Sequence, residues 1–549
     1  MLQLLDLPAE VLLMCLSHLS LGDLLACLDM HNLALSTLIF EAPAIQFRVE
    51  QDTCGVAETA HGAAGPLFAR RAALREREER WRAFAPVGRR AVATRDVRLY
   101  DVGEDCYALA YKSGPQAAMC DRVEYMFLDG SEGWLAPEDI TQPVVDICVV
   151  SEWDLLVVVT LSAENNGMRR LAAHLRQLST GAVQAGLART IELTTAPAGY
   201  GVPDLRVEVA GSTLAIAACF VASAEDEVEL DLLHLIHWPS GRAFTDAVPC
   251  SLTSFAFVHD ALLLVPNPHT HCLDVLALGA DSYGWMLSFR LPALRPGHQL
   301  LWDSFDCRAQ PTPHTHLVPA PPPARDLHDT PAQTRTPFRP DPEQALIVLM
   351  FDTATDADPA DADVELVTTP TIVVIDRLRL RERFYAGYRE QADGAPLVEV
   401  PFADWGPHAS TWLDAGRSGL ALSGYAVTGF VGTRLVALGE AGGAEPEGPR
   451  HVRVLDFNYK TVNRVRKQLD AAKMDVLEAA QATRRVRMPA ADAEHGAFAE
   501  PLGAALGYVD ITSREVVDWE GVHMSNACIL GEKDSDVEGE RELHVLYFG

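Results

Sequence analysis

Apolar positions at the start of the chain recur at helical spacing. Val11, Leu12, Cys15, Leu16 and Leu19 fall one, three, one and three residues apart, which predicts an amphipathic helix. Leu7 precedes a proline and is biased away from the α region, while Pro8 suits a first helical position and Glu10 its positive end. Ser20 and Asp23 resemble a capping box for a second helix with Leu21, Leu24, Leu25 and Leu28 on one face. A third apolar set, Leu35, Leu38 and Ile39, ends before Pro43. Burying a large aliphatic side chain is worth roughly 1.5–3 kcal/mol, so these leucines offer on the order of 10–20 kcal/mol gross. Three short helices cannot enclose all of that surface. The pattern predicts that part of it is covered, by the rest of the chain or by another protein.

Residues 51–66 turn small and polar, with Gly55, Gly62, Gly65 and Pro66, and read as a linker. Leu67, Leu74 and Trp81 then fall seven apart among alternating Arg and Glu, a solvated helix with one narrow apolar edge that braces the first unit against the remainder of the chain. From about residue 88 the period becomes strand-like: residues 97–101, 107–111 and 123–127, then the turn at Asp129-Gly130. A cycle of strand, tight turn, apolar strand, loop and strand recurs at 144–178 and 205–238, with looser copies at 255–278, 345–378, 420–458 and 522–548. Repetition at roughly forty or more residues is the signature of propeller blades, and radial closure removes the exposed edges of so many strands. The expected fold is mainly β with an α-helical amino-terminal unit: a short helical bundle over 1–50, a linker and bracing helix over 51–87, and a β-propeller of six or seven degenerate blades over 88–549. A pair of β-sandwiches is the alternative.

Three stretches interrupt the cycle. Residues 308–343 are rich in Pro, His and Thr and read as an insertion. Residues 352–365 are an acidic run. Residues 461–485 place Val462, Val465, Leu469, Ala472 and Val476 on one face and read as an inserted helix.

Charge narrows the partners. The formal net charge of −31 over 549 residues repels nucleic-acid phosphates and anionic membranes. Eleven scattered cysteines without a CxxC read as reduced thiols. No apolar run reaches about 18 residues, and Asp6 and Glu10 give the start the wrong polarity for a signal peptide. A soluble protein of the cytoplasm or nucleus is expected.

Catalytic signatures are sparse. Two copies of Pro-His-Thr-His, at His269 with His271 and His314 with His316, could share a zinc, yet both lie in Pro-containing loops and spacing fixes no third ligand. The acidic run lacks the glycine and spacing of an EF-hand. No P-loop, G-x-G-x-x-G or G-x-S-x-G is present. Abundant aspartates keep a propeller glycosidase with paired carboxylates as a minor alternative. The expectation is a chain without catalytic residues, metal or cofactor.

Leu7-Pro8, Glu10-Val11-Leu12, the run from Leu16 to Leu19 and Gly22-Asp23-Leu24-Leu25-Ala26-Cys27 resemble the F-box. The later Ile45-Gln46-Phe47-Arg48-Val49-Glu50 and the stretch from Leu74 to Trp81 resemble segments that come after the F-box in a large group of basidiomycete fungal F-box proteins. The resemblance implies a substrate-recognition subunit of an SCF-type cullin-RING ubiquitin ligase. Leu7, Pro8, Val11, Leu12, Leu16, Leu19, Leu24 and Leu25 would bind the Skp adaptor, and through it the cullin. The propeller would hold a target protein, and ubiquitin transfer would belong to other subunits. An interaction scaffold without ligase membership, its first helices packed inward, is the alternative from another class.

Overall fold

The computed structural model describes residues 7–19, 21–59, 65–95, 97–114, 117–128, 133–163, 167–183, 189–197, 199–220, 230–249, 254–279, 282–312, 336–355, 368–390, 398–421, 426–439, 449–488, 496–503, 505–535 and 540–549. Four helices come first: α1 (Ala9–Ser17), α2 (Leu21–Asp29), α3 (Leu33–Glu41) and α4 (Pro43–Cys54). Ser20, half of the expected capping box, lies outside the described residues. Gly55 ends α4 in the left-handed region at φ 67°, where a side chain would be strained. Helix α5 (Leu67–Ala83) comes next.

The β region is a seven-bladed ring. Blade 1 is built from Leu99–Val102, Cys106–Tyr111 and Arg122–Phe127, and blade 2 from Val144–Val150, Leu155–Ala163, Met168–Gln177 and Thr190–Pro197. Blade 3 carries Asp204–Ala210, Thr213–Phe220 and Leu230–His237, and blade 4 Ala256–His259, Leu262–Asn267, Cys272–Leu278 and Tyr283–Arg290. Blade 5 is His298–Arg308, Leu346–Thr355, Thr368–Asp376 and Ser410–Asp414. Blade 6 centres on Arg434–Gly439, Arg450–Asp456 and Tyr508–Val517, with Phe430–Val431 innermost. Blade 7 takes Gly521–Met524, Cys528–Asp534 and Glu540–Tyr547 from the end of the chain and Gly88–Arg95 from before blade 1, paired from Gly88↔Tyr547 to Arg95↔Glu540.

Each pair of neighbouring blades shares one apolar core. Val123 and Tyr125 meet Leu156 and Val158 between blades 1 and 2, and Leu155 and Val157 meet Leu214 and Ile216 between blades 2 and 3. Leu233 and Leu235 meet Phe255 and Phe257 between blades 3 and 4, and Val275 and Phe289 meet Ile347 and Leu349 between blades 4 and 5. Val348 and Ile372 meet Leu435 and Leu455, and Val452 and Val454 meet Val522 and Ile529, across the next two gaps. The seventh core, Leu109 and Met126 against Leu530 and Val545, joins blade 7 to blade 1 and closes the ring. The two-sandwich alternative is thereby overturned, because no sandwich core closes on its own first sheet.

Several expected boundaries move. The strand expected to run through residue 378 ends at Asp376, whose Oδ1 accepts from Arg379 N (3.0 Å) and starts α6 (Arg377–Glu390). A further helix, α7 (Phe402–Ala409), precedes the last strand of blade 5. The helix expected over 461–485 is α8 (Tyr459–Ala472) alone. It is capped by Asn458, which accepts from Lys460 N and Thr461 N, and is ended by Lys473 at φ 53°. Residues beyond it form the strands Leu477–Glu478 and Ala482–Arg487, the second pairing with blade 6. Of the insertion at 308–343, residues 313–335 lie outside the described residues, and Phe338–Pro340 pairs with Val56–Glu58.

Candidate functional site

The helical unit has a small core of its own. Leu16, Leu24, Ile39 and Ile45 are buried, and Leu13, Leu19, Cys27, Leu28, Leu38 and Val49 pack around them. Of the eight residues assigned to an adaptor surface, Leu12, Leu16 and Leu24 are buried, Leu7 and Leu19 half-buried, and Pro8, Val11 and Leu25 exposed. The three buried leucines are therefore not surface residues. Four helices of nine to twelve residues have few other side chains with which to build a core.

The outward apolar side chains are a different set. Val11 and Leu25 are joined by Met14, Met30, Leu33 and Phe40, with Leu33 82% exposed and Phe40 62%. The spacing that distinguishes the two faces is present in the chain: Leu12, Leu16 and Leu19 lie at i, i+4 and i+7, whereas Val11 and Met14, three apart, fall off that stripe. Because α1 is apolar on both sides, periodicity alone does not say which stripe faces in.

Helix α5 fixes this unit to the ring. Glu50 accepts from Arg71 Nε (2.9 Å) and also from Arg75, while Arg71 Nη1 donates to Gln46 Oε1 (2.9 Å). Burial pushes the Glu50 carboxyl up, but the hydrogen bonds from Arg71 and Arg75 outweigh it and hold it below the usual carboxylate range. On the other side Trp81 stacks on Phe548, ring centroids 4.1 Å apart, and Arg434 lies over its face at 5.0 Å. Arg77 donates to Asn526 Oδ1 (2.8 Å) and to the Gly549 carbonyl (3.0 Å). Glu78 pairs with Arg77 and Arg434 at 2.5 Å each. Burial opposes the charged Glu78, and Arg434 and Arg77 together hold its pKa below the ordinary value. The alternating charges of α5 predict a solvated face for Arg77 and Glu78, and the structure buries both. They lie three and four residues after Leu74 and precede Trp81, so they share the apolar edge, and that spacing is the signal that marks them.

The docking is to one end of the ring. Helices α4 and α5 meet the turns at the ends of inner strands: Asp341 N donates to the Gly55 carbonyl (2.9 Å), Arg434 reaches Glu78, and Asn526 accepts from Arg77. Helix α8 adds Asn458 Nδ2 to the Thr53 carbonyl (3.1 Å) and Lys460 Nζ to the Asp52 carbonyl (2.9 Å). The opposite end of the ring, where the inner strands begin, carries none of these contacts.

The axis of the ring holds a cavity of about 280 Å³. Asp101, Asp146, Glu208, Asp306, Arg206 and Arg308 line it from the inner strands of blades 1, 2, 3 and 5. Its floor is tied across the axis: Arg308 Nη2 donates to Asp101 Oδ1 (2.9 Å), and Gln310 Nε2 to the Val102 carbonyl (3.0 Å). Arg206 is shared between Glu208 (2.9 Å) and Asp306 (3.7 Å). Burial pushes the Glu208 carboxyl up against the pull of Arg206 and Arg308.

The other candidates disperse. His269 and His271 are exposed at a turn of blade 4, His271 with φ 54°, while His314, His316 and the acidic residues after Thr355 lie outside the described residues. Among the described residues no three His, Cys, Asp or Glu side chains are grouped to hold a metal. Among the described residues no two cysteines are joined in a disulfide. No described helix is long and apolar enough to cross a membrane.

No protein-family model matches the chain, and no curated protein sequence does. Solved structures are similar to it at low identity. The WD40 domain of Toxoplasma gondii coronin is 10% identical, with 84% of this chain and 87% of that one covered at a TM-score of 0.34. The β-propeller domain of Myceliophteria thermophila Cps50 (Swd1) is 9% identical, with 83% and 98% covered at 0.31. For the N-terminal domain of Nup159 the values are 10%, 84% and 95%, at 0.30.

Proposed function

We propose that this chain is the substrate-recognition subunit of an SCF-type cullin-RING ubiquitin ligase, with α1 to α3 binding the Skp adaptor and the propeller holding a target protein. The observation that carries the reading is the set of large apolar side chains that the helical unit leaves exposed. Val11, Met14, Leu25, Met30, Leu33 and Phe40 are all exposed although the unit already has its core, and apolar surface of that extent on a small unit marks a place that a partner covers. The resemblance of this stretch to the F-box names the partner. The attachment of the unit to one end of the ring supports the second half of the reading, since among the described residues none of these helices covers the other end. The chain would then supply proximity, raising the effective concentration of target lysines near the transferring enzyme.

Coexpression with the Skp adaptor tests the first half. Wild type is expected to copurify with it and Val11→Asp with Leu25→Asp to lose it, because a charge on each exposed stripe must be desolvated on docking. Copurification that survives this double substitution, or its absence in wild type, sinks the reading.

A further inference from the structure

The axis cavity has more carboxylate oxygen than its own arginines occupy. Arg308 is committed to Asp101 and Arg206 to Glu208 and Asp306. Asp146, on the inner strand of blade 2, accepts only the neighbouring Ile147 N–H (2.8 Å) and has no ion pair among the described residues. Glu208, on the inner strand of blade 3, is 6% exposed, and its Oε2 is buried without a donor. Both side chains line the same space. Exposure along the inner strands gives the direction of access: in blade 3 it falls from exposed at Asp204, through half-buried Leu205 and Arg206, to buried from Val207 onward. In blades 1 and 3 the cavity is therefore reached from where the inner strands begin, away from the helices, and Arg308 and Gln310 reach across it to Asp101 and Val102.

We propose that the axis cavity binds an alkylammonium or guanidinium head, the tip of a lysine or arginine side chain offered by a protein at the end of the ring opposite the helices, with Asp146 and Glu208 as its acceptors. A volume of about 280 Å³ lies at the lower limit for ligand pockets and suits one long side chain with a few waters of about 30 Å³ each. A cation entering there exchanges its hydration for two charged acceptors, which a neutral side chain of the same length cannot use. The net charge of −31 favours the approach of a basic segment. The inference holds whether or not the helices bind an adaptor.

Isothermal titration of the full chain tests it with four probes: a capped pentapeptide with lysine between glycines, its arginine and norleucine counterparts, and cadaverine. The lysine or arginine peptide is expected to bind about tenfold or more tightly than the norleucine peptide, and Asp146→Asn and Glu208→Gln each to weaken it about tenfold. Asp146→Asn breaks no ion pair, and far-UV circular dichroism with a melting curve verifies its fold. Cadaverine binding as tightly as the peptides assigns the site to free amines within the same chemistry, and weaker cadaverine binding assigns it to a protein side chain. Burial pushes Asp146 up to about 8, with the Ile147 N–H opposing and Asp101, Arg206 and Asp204 the charges that face it. Binding at pH 7 is therefore expected to release a proton, seen as a heat that varies with the buffer. Equal affinity for the norleucine peptide, no saturation by any cationic probe, or an unchanged Asp146→Asn variant overturns the proposal.

Discussion

The helical unit and the propeller bury their apolar residues in opposite ways. The unit has one small core around four buried side chains and leaves other large apolar side chains exposed. The ring has a core in every gap between blades, and each blade is covered on both faces by its neighbours. Radial closure thus covers the strand faces of the ring, and the cavity on its axis is lined by charged side chains. A small bundle cannot cover all its apolar residues, so several of them stay exposed. The joint between them belongs energetically to the ring, because α5 contributes Trp81 to the same core as blades 6 and 7.

The harshest test of that contrast is at the joint. Trp81 is 1% exposed, and Trp81→Ala removes its stacking on Phe548 and leaves Arg434 and Glu78 around a void. The expected cost is about 3–5 kcal/mol, read as a lower urea midpoint for the whole chain. A loss confined to the helices would place the joint with the bundle instead. Next in size is Leu24→Ala, at 1% exposure, with an expected cost of about 2–5 kcal/mol. The bundle has little stability from which to lose this, so its amides should exchange rapidly while those of the blades keep their protection. Equal loss of protection in both would mean that the two regions unfold as one.

A smaller and pH-dependent effect separates the blades from the bundle. His234, 6% exposed on a strand of blade 3, is pushed down to about 4 by burial. Its folded pKa lies below the ordinary 6.5, so the unfolded chain takes up a proton as pH falls through 6.5 while the folded chain does not until about 4. Stability from this residue is whole above 6.5 and is lost toward 4. His234→Leu removes that dependence. Its stability relative to wild type is expected to improve by about 2 kcal/mol between about pH 6.5 and 5, in urea melts that report on the blades. A constant difference across that range would show that the ring admits the proton.

How much of the fold was legible in the chain depends on how strongly burial constrains each part. Strands covered on both faces, such as Leu155–Ala163 and Thr213–Phe220, are apolar runs bounded by turns and were readable. The closing strand Gly88–Arg95 was not, because it lies outermost and alternates half-buried with exposed residues among three arginines. Helix α6 hid behind an apolar strand, its Asp376 cap outweighed by the run before it. In the bundle the first three helices were readable, whereas α4, which runs into the expected linker, and the inward stripe were not. Leu12, Leu16 and Leu24 face inward for a reason that only packing against residues such as Ile39 and Ile45 decides.

The mildest substitution asks whether the bundle's helices are formed before any partner arrives. Asn32 accepts from Ala34 N (3.0 Å) and Leu35 N (3.2 Å), satisfying two of the free N–H groups that begin α3. Asn32→Ala leaves them to water at a cost of about 1 kcal/mol. In a bundle already folded through its Leu35 and Ile39 contacts, this loss shows as a modest rise in amide exchange within α3 and leaves the blades untouched. If α3 instead orders only when its outer face is covered, the free chain exchanges at the same rate with or without the cap. The cost then moves to the docking step, where it would weaken binding of the proposed adaptor about fivefold.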